Sequence, residues 1–156
     1  MSTEHPRGPS KVIPGDASFD PEAAGWKRHE GKGFMELIGP IWEHEDEDGM
    51  VFGFLAEDKH HNRRGVVQGG MLMTFADRVL GSVGRSQNEN KPQATLQMDT
   101  HFIEAVNVGD FVTGRAWVKR LTRSVIFMEG ELRVGPKLVA SITGIWKILT
   151  PRQPAK

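Results

Sequence analysis

The chain has 156 residues and no cysteine, and its 20 Lys and Arg balance 20 Asp and Glu. That length suits one domain with a proper core, and a net charge of zero leaves no global field to recruit nucleic acid or an acidic membrane surface. The missing cysteines exclude a disulfide framework, a thiol nucleophile and a cysteine-ligated metal site.

From Met1 to Lys11 the sequence is polar, with prolines and no apolar signal core, and no later run approaches the length of a membrane span. A cytoplasmic protein without a membrane partner is therefore expected. Residues 1–33 read as an N-terminal extension, mostly polar, with a short helix opened by Asp20 as N-cap and Pro21 at its first position. Gly31 and Gly33 end that helix, and Trp26 is its expected anchor. Phe34 to Trp42 is rich in large apolar and β-branched residues and reads as a strand with a bend or edge at Pro40. The acidic run Glu43 to Asp48 then forms a solvated hairpin tip, leading into Met50, Phe52, Phe54 and Ala56 at period two.

Next comes Gly69-Gly70, opening into the longest apolar pattern of the chain. Leu72, Phe75, Ala76, Val79, Leu80 and Val83 recur at three- and four-residue steps, which predicts a helix with one buried face. Asp77 lies off that stripe, in a lane with Gly70, Met73, Gly81 and Gly84 where missing side chains would let a ligand or a partner backbone come close. A mid-helix acid is commonly just solvated. Here, however, the double glycine leaves unpaired backbone N–H groups at a positive helix end, which suits a developing oxyanion.

Four alternating stretches follow the helix, marked by Leu96, Met98 and Phe102; by Val112, Ala116 and Val118; by Ile126, Met128, Leu132 and Val134; and by Leu138, Ala140, Ile142, Trp146 and Ile148. The short polar segments between them predict an antiparallel meander. Such a sheet must bury one face, and the helix is the only large element to cover it, so the class is α+β. Arg63, Arg64, Lys119, Arg120 and Arg123 could meet phosphates, although basic loop residues are more often simply solvated. Trp117, Phe127, Met128 and Trp146 could line a pocket, but on strands such residues are more often core. His60-His61 with Asp58 lacks further ligands at fixed spacing, so no metal is expected.

Taken in order, His61-Asn62, Gly65, Gln68-Gly69-Gly70, Asp77, Thr95 and Ala105-Val106-Asn107-Val108-Gly109-Asp110 resemble the signature of hotdog-fold acyl-CoA thioesterases of the phenylacetate-pathway type. The match covers roughly residues 34 to 149. It implies a hotdog fold, a long central helix wrapped by an antiparallel sheet of about six strands, with a domain over residues 34–150 and a tail at 151–156. It also implies a homodimer with two sheets joined edge to edge, hydrolysis of an acyl-CoA thioester at the subunit interface, and no cofactor. Asp77 corresponds to the catalytic carboxylate, as nucleophile or as general base. Asn62 corresponds to the residue that orients water or substrate, the Gly69 N–H to the oxyanion donor, and Thr95 to a hydroxyl near the attacking water. His61, Gln68, Gly70, Arg123 and Ser124 are candidate substrate contacts. Gln68 stands where many members have histidine; it can donate a hydrogen bond but does not titrate near neutral pH.

Two other functions stay open on the sequence. A hydratase or dehydratase of acyl thioesters would want a histidine paired with a carboxylate, and none stands at a suitable place in the helix motif. A non-catalytic acyl-CoA-binding or sensing module is kept alive by Gln68. The acyl group, and whether dimers pair into tetramers, are not legible.

Overall fold

A computed structural model of the chain describes residues 19–150, so the readings for residues 1–18 and 151–156 lie outside the described residues. A seven-stranded antiparallel sheet, β1 (Lys27–His29), β2 (Ile41–Asp46), β3 (Gly49–Leu55), β4 (Gln93–Phe102), β5 (Phe111–Leu121), β6 (Val125–Val134) and β7 (Lys137–Ile148), packs on one 19-residue helix. The helix, α2 (Gly69–Gln87), is preceded by the five-residue α1 (Phe34–Ile38). The class is α+β and the architecture is the hotdog fold, as expected.

The apolar stripe of α2 carries the main core. Leu72, Phe75, Ala76, Val79 and Leu80 are buried against Phe54, Val112, Ile126, Leu132, Ile142 and Trp146, while Val83 packs half-buried at the margin. Gly114, Gly130 and Gly144 lie under this layer, and a Cβ at Gly130 would stand 2.5 Å from Leu80 Cδ1. Small residues on the strands thus let the helix approach the sheet closely. A second cluster, Trp26, Val51 and Phe111 with half-buried Trp42 and Leu55, sits apart from this core. Its formation requires Gly53, because a Cβ there would stand 2.4 Å from the Phe111 ring.

Several expectations are corrected. Asp20 does cap a turn, accepting from the Glu22 and Ala23 N–H groups at 3.0 and 3.2 Å, but the turn stops at Gly25, whose φ of +83° ends any helix. Trp26 enters the core from there, and the chain continues as β1, which makes the sheet seven-stranded rather than six. Phe34 to Ile38 is helical instead of extended, and the strand begins only after Pro40. The acidic segment supplies strand β2 up to Asp46, leaving Glu47-Asp48 as the whole hairpin tip, with Gly49 at φ +100°.

The meander is the fourth correction. The sheet order is β1-β2-β3-β5-β6-β7-β4, so β4 pairs with β7 and lies at an edge, while β5 pairs with β3. The segment from Ile103 to Asp110 therefore crosses past the start of α2, and does not close a hairpin. It is pinned there by buried Val106, whose carbonyl accepts from Val67 N–H at 2.8 Å. As an edge strand β4 is largely exposed, and Leu96 and Phe102, read as inward-facing, are 60% and 52% exposed.

Candidate active site

The start of α2 is built by two loops clamped together. Val67 N–H bonds to Val106, Gln68 N–H bonds to the His60 carbonyl at 2.8 Å, and Gly109 N–H bonds to Ala56 at 2.8 Å. Asp110 closes its own turn by accepting from Asn107 N–H at 2.8 Å, with Gly109 at φ +96°. The Asn107-Val108-Gly109-Asp110 segment therefore acts as a brace for the helix entrance. His60 completes it: buried, it accepts from Glu57 N–H at Nδ1 (2.9 Å) and donates from Nε2 to the Ile38 carbonyl (2.7 Å), which defines one neutral tautomer.

Gln68 is the N-cap of α2 but makes no side-chain capping bond. Among the described residues the Gly69 and Gly70 N–H groups have no acceptor, so the helix starts with open donors at its positive end. The Gln68 side chain folds over Gly70, where a Cβ would stand 2.5 Å from Oε1. Gly69 lies under the Phe102 ring in the same way, at 3.2 Å.

Two turns further on, Asp77 is half-buried and accepts from the Thr95 hydroxyl, Thr95 Oγ1 to Asp77 Oδ1, at 2.6 Å. This bond joins the helix to the edge strand β4. The pair borders a cleft of about 460 Å³ with His29, Arg78, Gly81, Ser82, Arg85, Asn90, Gln93, Ala94 and Trp146. Gln93 fixes one wall, donating to the Gly81 carbonyl at 2.7 Å and accepting from Asn88 at 3.1 Å. Gly81 and Gly84 of the glycine lane turn out to face the chain's own sheet: a Cβ at Gly84 would stand 2.8 Å from Met128 Sδ, and one at Gly81 would touch Trp146 and Gln93. Their first task is close helix-sheet packing, so they are no argument for an approaching partner backbone.

The remaining candidates lie elsewhere. His61, Gln68 and Gly70 line a second cleft of about 390 Å³ with Phe34, Ile38, Lys59, His60, Met71 and Thr74. Gly69 lines a third one of about 300 Å³, mostly apolar, with Val67, Leu72, Phe102, Ile103, Glu104, Ala105 and Val106. Asn62 Oδ1 accepts from Arg64 N–H at 2.8 Å, bracing its own loop, and His61 Nδ1 lies 2.9 Å from the Asn62 carbonyl. Arg123 and Ser124 form the β5–β6 turn, organised by Thr122 Oγ1, and line none of these three clefts. Trp146 alone of the aromatic pocket candidates borders the Asp77 cleft; Met128 is core. His29, Arg78, Arg85 and Phe102 are new to the site. Only Arg78, adjacent to Asp77, carried any signal in sequence.

Within one chain Gly69 and Asp77 are not neighbours. Eight residues of helix separate them by about 12 Å along the axis, too far for a single carbonyl group to touch both.

The sequence pattern of the thioesterase superfamily matches residues 64–140, a span that holds the Gly69-Gly70 helix start, Asp77 and Thr95. A provisionally named esterase of Saccharolobus solfataricus is 31% identical over 101 residues, covering 64% of this chain and 71% of its own length. The chain belongs to the thioesterase superfamily. Another provisionally named esterase, from Pseudomonas aeruginosa, is 29% identical over 116 residues, or 73% of this chain and 87% of that one. Among solved structures, a point mutant of the phenylacetic acid degradation protein of Thermus thermophilus superposes with a TM-score of 0.64 at 26% identity, covering 74% of this thioesterase-superfamily chain and 98% of its own. Among the described residues no helix is long and apolar enough to cross a membrane.

Proposed function

We propose that the protein hydrolyses acyl-CoA thioesters, with aryl or short to medium acyl groups, to the free acid and CoA. The observation that carries this reading is the Asp77 carboxylate, hydrogen-bonded by Thr95 at 2.6 Å and bordering an open cleft, in a chain of the thioesterase superfamily. The likeness to a phenylacetic acid degradation protein supports a substrate of this class.

A thioester has a good leaving group, so the protein chiefly needs an activated nucleophile and a stabilised oxyanion. Asp77 supplies the first, attacking the carbonyl carbon directly or taking a proton from the attacking water. The Thr95 hydroxyl engages Oδ1 and holds the carboxylate in one orientation. The Gly69 N–H, open at the positive helix end, receives the carbonyl oxygen as it becomes negative. The C–S bond then breaks, and the CoA thiolate leaves and is protonated; where Asp77 is the nucleophile, water next hydrolyses the acyl-aspartyl anhydride, which releases the acid and regenerates the carboxylate. Asn62 retains its amide N–H2 as a donor for water or substrate, its Oδ1 being engaged by Arg64.

The separation of Gly69 from Asp77 supports a site made by two subunits, with Gly69 and Asn62 from one and Asp77 and Thr95 from the other. The free edge of β4 and its exposed Leu96, Phe102 and Ile103 support an edge-to-edge homodimer.

Release of free thiol from a panel of aryl-, short- and medium-chain acyl-CoA thioesters tests the reading. Asp77→Asn, nearly isosteric, should fold and assemble normally while losing at least ~100-fold in turnover. Undiminished hydrolysis by the folded variant removes Asp77 from the mechanism. In a single turnover in 18O-water, label in Asp77 identifies it as the nucleophile, since a general base never exchanges its oxygens with the acyl group.

A further inference from the structure

The cleft beside Asp77 is cationic in a way that thioester hydrolysis alone does not require. Arg78 and Arg85 are seven residues apart on α2, so they share one helix face about 10 Å apart, with Gly81 and Ser82 one turn on from Arg78 and between the two. The small residues Gly81 and Ser82 between the two arginine positions leave room in the cleft for a planar or linear group. Among the described residues neither arginine forms an ion pair with a carboxylate, whereas Arg115 and Arg133 each do.

Arg78 is also held in place. His29 Nδ1 lies 3.0 Å from Glu43 Oε2, and an Arg78 terminal nitrogen contacts His29 Nε2. A guanidinium can only donate, so Nε2 is the acceptor in that contact and Nδ1 is the nitrogen that faces Glu43. Glu43 thus orients Arg78 through the His29 ring and not by pairing with it directly. The Arg78 Nε–H is buried and has no acceptor among the described residues. A half-buried guanidinium without a counter-ion is costly unless something anionic completes it. The cleft is also lined by polar Ser82, Asn90, Gln93 and Thr95 and by apolar Ala94 and Trp146, whereas the cleft at the start of the helix is lined mostly by apolar residues, Leu72, Phe102 and Ile103 among them, with Glu104 its one charged residue.

We propose that this cleft binds an anionic group of the substrate, and that the group is a carboxylate at the far end of the acyl chain. Preferred substrates are then thioesters of acids that carry a second carboxylate, with Arg78 and Arg85 as its ligands and His29 as the residue that positions Arg78. The assignment rests on the hydrolase reading of Asp77. CoA carries anions too, but its diphosphate lies a whole pantetheine arm from the thioester, whereas Arg78 adjoins Asp77 in the chain.

The test compares a glutaryl thioester with its monomethyl ester, each made on CoA and on N-acetylcysteamine, which has no phosphates. The wild-type protein should favour the free carboxylate in kcat/KM by roughly tenfold or more, the scale of a charge-assisted hydrogen bond. The preference should appear on both carriers and weaken as salt is raised. Arg85→Gln, at an exposed position that should fold normally, should pull the ratio toward one. Arg78→Gln should do the same, with Arg78→Lys restoring part of it. His29→Asn, which keeps a neutral acceptor, should retain more of the ratio than His29→Leu. A ratio near one in the wild-type protein, with the methyl ester still hydrolysed in an Asp77-dependent way, overturns the carboxylate assignment and leaves the hydrolase reading standing. Loss confined to the CoA series, whatever the acyl group, assigns the arginines to the phosphates and overturns the acyl assignment. No turnover of any of the four compounds by a protein that hydrolyses other acyl-CoA thioesters in an Asp77-dependent way overturns this proposal alone; the hydrolase reading falls only if the whole acyl-CoA panel is inert as well.

Discussion

Thr95 and Asp77 are 18 residues apart in sequence and 2.6 Å apart through their side chains, one on the edge strand and the other on the central helix. The bond fixes a carboxylate that would otherwise rotate freely at the margin of an open cleft. If that orientation matters for turnover, Thr95→Val should lower kcat by about tenfold with little change in melting temperature. Thr95→Ser should restore most of the loss. Equal rates for valine and serine variants would mean that the hydroxyl does not serve the reaction.

The distance along α2 leads to a complementation experiment. Asn62→Ala and Asp77→Ala proteins should each be inactive, but a mixed dimer would gather both lesions in one site and leave the other whole. With free exchange half the dimers are mixed, so co-refolding of equal amounts should recover about a quarter of wild-type turnover. A mixture that demonstrably exchanges subunits and stays inactive would assign both residues to one chain.

At Gln68 the side chain rests on Gly70 and makes no capping bond. Gln68→His should therefore change the rate by less than about tenfold, because a histidine can brace the same turn. Complete inactivation of a folded variant would give the glutamine a specific part in the site.

Away from the site, Gly53 sits against the buried Phe111 ring, which in turn packs edge-on to Trp26 at 5.1 Å. A rigid aromatic pair has little room to yield. Gly53→Ala should cost about 1–3 kcal/mol, measured as a lower urea midpoint. An unchanged midpoint would mean that Phe111 can swing clear.

The helix of the site was readable in advance because Leu72, Phe75, Ala76, Val79 and Leu80 repeat at the helical period and every one of them is buried. Strands β3, β5, β6 and β7 were readable from alternation at period two, whereas β1 carries too few residues to show a period and β4 turns Leu96 and Phe102 outward; which strands pair was not readable at all. Turn chemistry between β4 and β5 says how the chain bends locally; it cannot say that β4 will travel to β7 and leave β5 to β3. Phe34 to Ile38 misled because a five-residue helix beside glycines has no period to show. In the cleft, Asp77 stood out through its glycine neighbours, although the structure gives those glycines another task. His29 and Arg78 could not be paired in advance: 49 residues separate them, and a lone histidine next to a lysine-arginine pair looks like ordinary surface.

The uncapped start of α2 has a thermodynamic side. A helix whose first N–H groups find no side-chain acceptor gives up roughly 1 kcal/mol that a serine or aspartate cap would have supplied. The empty protein therefore sits below the stability its own fold could reach, and whatever fills those donors returns some of the difference. Any ligand that binds only the folded form adds RT ln(1 + [L]/Kd), about 2.7 kcal/mol at a hundred times its Kd. A ligand that fills those donors, the proposed acyl-CoA included, should therefore raise the melting temperature in proportion to the logarithm of its concentration once it is well above Kd.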